Sequence, residues 1–131
     1  FTLTLENMGN VDLYDVQVTD SLSAEFGTYQ ATAGAVDTAG EYTVSTPTIT
    51  DNTPGSDLVV NTGFTGTASN TNLLTVSPAN VGLALEVGQS LTISFNLTFY
   101  PNFANAPFTN QATATGDEPD GGGDGDGTVD N

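Results

Sequence analysis

The segment SLTISFNLTFY, residues 90–100, alternates strictly along its length. Leu91, Ile93, Phe95, Leu97 and Phe99 occupy one parity, and Thr92, Ser94, Asn96 and Thr98 the other. Successive side chains of a strand point to opposite faces, so this run has one apolar and one polar face. A helix would scatter the same apolar residues around its circumference. The pattern therefore commits the chain to a sheet with one face buried and one in water.

The rest of the chain repeats the theme. In FTLTLE, Phe1, Leu3 and Leu5 share a face and Thr2 and Thr4 take the other. A turn, NMGN, follows, rich in residues that tolerate positive φ. LYDVQVTD then places Tyr14, Val16 and Val18 on one side and Asp15, Gln17 and Thr19 on the other. FTNQATATG reads as the last strand, with Ala112 and Ala114 inward. Between these lie EYTVSTPTIT, SDLVVNTGF and TNLLTVS, short strands separated by PGS, TASN and SPAN turns. Pro47 implies an edge or a bulge. No segment carries a helical period. About seven to nine short strands with Thr-rich outer faces predict an all-β fold, an immunoglobulin-like antiparallel β-sandwich, ahead of a barrel.

Charge narrows the function. The 131 residues hold sixteen acids and no Lys, Arg or His, for a formal net charge of −16. Nucleic-acid binding is excluded, because that affinity rests on cationic side chains neutralising phosphates. Anionic membrane surfaces are disfavoured for the same reason. No run approaches the roughly 18 apolar residues of a membrane span, so direct membrane insertion is not expected. Without cysteine there is no disulfide framework or thiolate metal site. Without lysine there is no Asn–Lys isopeptide crosslink. Catalysis would fall to Asp and Glu alone. Asp12 and Asp15 differ by an odd number, so within one strand they would face opposite ways. The chain reads as a non-enzyme.

After Gly116 the composition changes. Residues 117–131 hold six of the sixteen acids, many Gly and almost nothing to bury. The chain thus divides into a sandwich, 1–116, and an acidic interdomain or inter-subunit segment, 117–131. Alone, such a segment is a flexible linker. Hard cations such as Ca²⁺ take six to eight oxygens from carboxylates, carbonyls and water. Asp124 and Asp126 are spaced by one Gly, and Asp117, Glu118 and Asp120 form a second cluster. With Asp130 these are the candidate Ca²⁺ ligands. Neither cluster is a twelve-residue EF-hand loop, and the plain alternative is a solvated linker. Asp20 would join them if its strand ended near the last one.

Phe1–Leu22, FTLTLENMGNVDLYDVQVTDSL, resembles the opening of a bacterial and archaeal cell-surface repeat domain. That pattern reads Y-T-I-T-V-T-N-T-G-N-x-x-L-x-x-V-x-V-T-D. Asn7, Gly9 and Asn10 fall on its turn, and Val16, Val18, Thr19 and Asp20 on its second strand. LEVGQSLTISFNLTF (85–99) and TNQATATG (109–116) resemble its later signature. The likeness covers about half the chain and rests on turn residues and core alternation. It implies an immunoglobulin-like unit of tandem arrays, secreted and displayed at the cell surface as stalks, adhesins or filaments. The chain's start within a strand and its acidic end are what one repeat of an array, or a processed product, would look like.

The expected role is therefore structural, with Ca²⁺ stiffening the acidic joint. The expected partners are copies of the same chain, head to tail or by donor-strand exchange through residues 1–5 or 117–131. The alternative is an adhesive module for a surface glycan or protein receptor, with Tyr14, Tyr29, Tyr42 and Tyr100 as a stacking platform. Asn96-Leu97-Thr98 matches a glycosylation sequon, and Asn96 falls on the polar parity.

Overall fold

The computed structural model describes residues 1–53, 58–75, 83–101 and 107–118. Among them are nine strands: β1 (Thr2–Glu6), β2 (Leu13–Asp20), β3 (Thr28–Tyr29), β4 (Glu41–Val44), β5 (Thr48–Thr53), β6 (Ala84–Leu85), β7 (Ser90–Ser94), β8 (Leu97–Tyr100) and β9 (Ala112–Asp117). One short helix, α1 (Leu22–Phe26), and a 3₁₀ turn at Ala33–Ala35 complete the elements. The strands form three sheets, ordered β1-β7-β5, β6-β2-β9 and β3-β4-β8. The fold is an all-β sandwich, as the alternation predicts. One pairing departs from the antiparallel expectation, since β3 and β4 run parallel.

The strongest sequence pattern is divided between two sheets. β7 pairs with β1 and β5, whereas β8 pairs with β4. The partner strand breaks at the same level, with β4 on one side of Pro47 and β5 on the other. At the corner Ser45 N–H donates to the Asn96 carbonyl at 2.9 Å. Asn96 N–H donates to Ser45 Oγ at 2.9 Å. Pro47 has no N–H to add to a ladder; it is buried at this corner just ahead of β5, an edge strand of its sheet whose register shifts between Ile49 and Asp51. A bent two-strand ribbon thus folds one sheet onto the next.

β2 also departs from simple alternation. Asp15 has φ 46°, and the β2–β9 register shifts between Tyr14 and Gln17. This is a bulge, and Asp is among the few residues that take a left-handed backbone readily. The bulge turns Leu13, Val16 and Val18 to the core and removes Tyr14 from it. The expectation that Tyr14 shares a face with Val16 and Val18 is corrected accordingly. Asp12 lies before β2 and Asp15 on the bulge, so strand parity does not relate them.

Gln17 repairs the ladder beside the bulge. Its Oε1 accepts Leu74 N–H at 3.0 Å and its Nε2 donates to the Leu74 carbonyl at 3.0 Å. A side-chain amide thereby does the work of a backbone rung. The segments expected as strands around Val60 and Leu74 meet in an isolated bridge, Val60↔Leu74, and Asn72 bridges to Thr19.

The core joins Val16 and Val18 to Leu91, Ile93 and Phe95, with Leu73, Leu74 and Tyr42 fully buried among them. Each large apolar side chain buried this way contributes about 1.5–3 kcal/mol. β9 is less inward than expected. Ala112 packs against the core, but Ala114 is exposed on this rim strand.

Candidate functional site

The strand directions place the two ends of the domain at opposite poles. β1 follows directly on Phe1, whose ring lies 6.2 Å from Phe26 and 5.3 Å from Phe95. Phe26 in turn meets Phe99 at 5.2 Å and Phe108 at 6.1 Å. This is an aromatic pole, at which Phe1, Phe99 and Tyr100 stay exposed. β9 runs in the same direction as β1 and ends at Asp117, paired with Tyr14, beside the Leu13↔Leu85 contact.

The second pole is built from two turns, 7–12 and 86–89, bound to each other. Asn7 is 2% exposed, and its Nδ2 donates to the carbonyls of Val11 and Leu85, each at 2.8 Å. Its Oδ1 accepts Gly9 N–H at 3.0 Å, closing an Asx turn. Asn61 repeats the device, accepting Gly63 N–H at 3.0 Å and donating to the Asn72 carbonyl at 2.8 Å. Among the described residues Asn-x-Gly therefore marks two turns that are locked by the Asn side chain.

No Lys, Arg or His is present to neutralise the acids, and among the described residues N–H groups take that role. Asp12 Oδ1 accepts Val87 N–H at 3.0 Å, at the second pole. Glu86 Oε2 accepts Gln89 Nε2 at 3.0 Å. Glu41 accepts Gln30 Nε2 at 2.8 Å and Thr38 N–H at 3.0 Å. Glu25 accepts Thr109 N–H. Hydrogen bonds to a charged group are worth about 1.5–3 kcal/mol each, so these acids help hold turns together.

Of the candidate metal ligands, Asp117 is half-buried at the end of β9 and Glu118 is exposed beyond it. Asp120, Asp124, Asp126 and Asp130 lie outside the described residues. Among the described residues no three acids gather into a group able to hold a metal ion. Asp20 does not join Asp117. It pairs with Ala112, the other end of β9, about 16 Å away at the rise of a strand. Asn96 is exposed at the bend between β7 and β8, not inside a strand.

The four tyrosines do not form a platform. Tyr42 is fully buried, Tyr29 packs on it at 5.7 Å, and of the four only Tyr100 is strongly exposed. The Tyr42 hydroxyl donates to the Thr65 carbonyl at 2.8 Å. Burial first, then Tyr29 and Asp20, push its pKa up to about 12. The folded chain holds that proton more tightly than the unfolded one, so stability falls as pH rises from 10.0 towards 12. Ultraviolet titration is expected to show a late-ionising phenol that Tyr42→Phe removes.

A polar cleft of about 300 Å³ is lined by Asn61, Ser69, Asn70, Thr71, Asn72 and Thr75. The Asn61 amide there is already committed to Asn70 Oδ1 at 3.0 Å. Among the described residues no helix is long and apolar enough to cross a membrane. No family of known proteins, no curated protein and no solved structure matches this chain.

Proposed function

We propose that this chain is a structural unit of a secreted cell-surface stalk, adhesin or extracellular filament, joined head to tail with copies of itself. One observation carries the reading: the first strand begins at the aromatic pole and β9 ends at the opposite pole. Such a unit passes the chain straight through, as a serial array requires. β1 is already paired along its length with β7, so end-to-end linkage needs less rearrangement than exchange of β1 between copies.

Ca²⁺ is the proposed stiffener of the joint. Six acids follow Gly116, and the chain has no basic residue to offset them. Carboxylates about 5 Å apart repel by roughly 1 kcal/mol in water and by several times more near a protein surface. A divalent ion removes that repulsion and supplies the geometry that a Gly-rich segment lacks. Calorimetry of the full chain in CaCl₂ and in EDTA tests this. A higher melting temperature in Ca²⁺ is expected, and identical melts would exclude the ion.

A second reading is glycan binding. The exposure of Phe1 and Phe99, both packed against Phe26, favours it, since aromatic faces stack on sugars. Retention on a glycan array, lost in Phe99→Ala, would support it over the structural role.

A further inference from the structure

Asp20 closes β2 on the same parity as Val16 and Val18, and its side chain is 1% exposed. Oδ2 accepts Asn110 Nδ2 at 2.8 Å. Oδ1 is buried and, among the described residues, has no hydrogen-bond partner. The acids of the turns are exposed or collect N–H donors, whereas this one has a single amide.

The groups that face Asp20 offer no compensating charge. Its own N–H donates to the Thr71 carbonyl at 2.9 Å. From β9 comes Ala112, and just ahead of that strand Asn110. From β4 comes the Tyr42 phenol, with Tyr29 against it. From α1 comes Glu25, itself an acid, which holds Thr109 next to Asn110. No Lys, Arg or His exists anywhere in the chain. An ionised carboxylate buried without a counter-charge is costly enough that the group surrenders its charge instead.

We propose that Asp20 is carried in the folded chain as a neutral carboxylic acid, so that the Asp20–Asn110 clasp on the start of β9 is a proton-sensitive latch. At a pH between the unfolded value of 3.8 and the folded value, folding takes up a proton from solvent, because the unfolded chain leaves this carboxyl ionised there. Burial raises the Asp20 pKa, and the Asn110 hydrogen bond offsets part of the rise. The sign follows. Stability from this site is complete below the unfolded value of 3.8 and declines as pH rises through the folded value. The site as a whole is most stable in mild acid and least stable in alkali, because the burial of the charge outweighs the stronger hydrogen bond that an ionised Asp20 accepts from Asn110. The latch ties down the stretch that leads into β9, the strand that ends at Asp117.

Carbon-13 NMR of the wild-type carboxyl groups, followed from about pH 3 to 8, tests the proposal directly. The Asp20 carboxyl carbon is expected to remain at the neutral-acid position at about pH 5, where exposed aspartates have already ionised. An Asp20 resonance that titrates together with the exposed aspartates would overturn it. Asp20→Asn gives an independent reading through urea midpoints at about pH 5 and pH 7. The variant is expected to lose part of the wild-type fall between the two, and to match or exceed the wild type at the higher pH. An equal fall in both proteins would also overturn it.

Discussion

Gly27→Ala is expected to lower stability by about 3–5 kcal/mol, enough to unfold much of a domain whose total is about 5–15 kcal/mol. Gly27 follows α1 with φ 99°, a left-handed region that side chains rarely enter. A Cβ there would also collide with the backbone of Gly40. That backbone cannot withdraw cheaply. The Gly40 carbonyl accepts Thr28 N–H at 2.8 Å and its N–H donates to the Tyr100 carbonyl at 2.9 Å. Gly88 provides the control, with φ 77° and open space around it. Gly88→Ala is expected to cost only the backbone strain, about 1 kcal/mol. Urea midpoints of the two variants separate collision from conformational preference.

The second large effect is at Asn7. Asn7→Ala is expected to cost about 3 kcal/mol, since two carbonyls and the Gly9 N–H lose their partner in a buried turn. Asn7→Asp keeps the acceptor for Gly9 but aims an oxygen at the carbonyls of Val11 and Leu85. It is expected to be at least as damaging at neutral pH and to recover partly in acid, where the carboxyl regains a donor. Thermal melts of both variants at about pH 4 and pH 7 check this pattern.

Both positions show how the fold can and cannot be read from residue order. Asn7-Met8-Gly9 is legible as a turn, because the side chain bonds its own backbone two residues on. Its bond to Leu85, 78 residues away, is not legible, because nothing local encodes it. The run from Leu91 to Phe99 is legible as extended, and the buried Leu91, Ile93 and Phe95 follow its parity. Its division at Asn96 is invisible, since the break is made by Ser45 in the distant turn between β4 and β5. Local sequence also missed the bulge at Asp15, so Tyr14 reads on the wrong face. Helix α1 is too short to show a period.

Asp20 is instructive in the other direction. A lone acid at a strand end suggests the surface, yet the spacing Val16, Val18, Asp20 already places it on the inward face. Parity was the signal that could have found it. The missing basic residues mattered as much, for they leave Asp20 and the turn carboxylates only N–H groups, protons or ions from solution as partners. The candidate ligands Asp117 and Glu118 are positioned by β9, and the rest of the acidic segment has no strand pattern from which to read a place.

A chain that passes from pole to pole and is stiffened at its acidic joint by Ca²⁺ is the central proposal. Small-angle scattering of two full copies joined head to tail, in CaCl₂ and in EDTA, tests it most directly. The predicted result is a rod close to two domains long in Ca²⁺ that becomes shorter and broadly distributed in EDTA. A folded-back pair in Ca²⁺, or the same profile in both solutions, would contradict it.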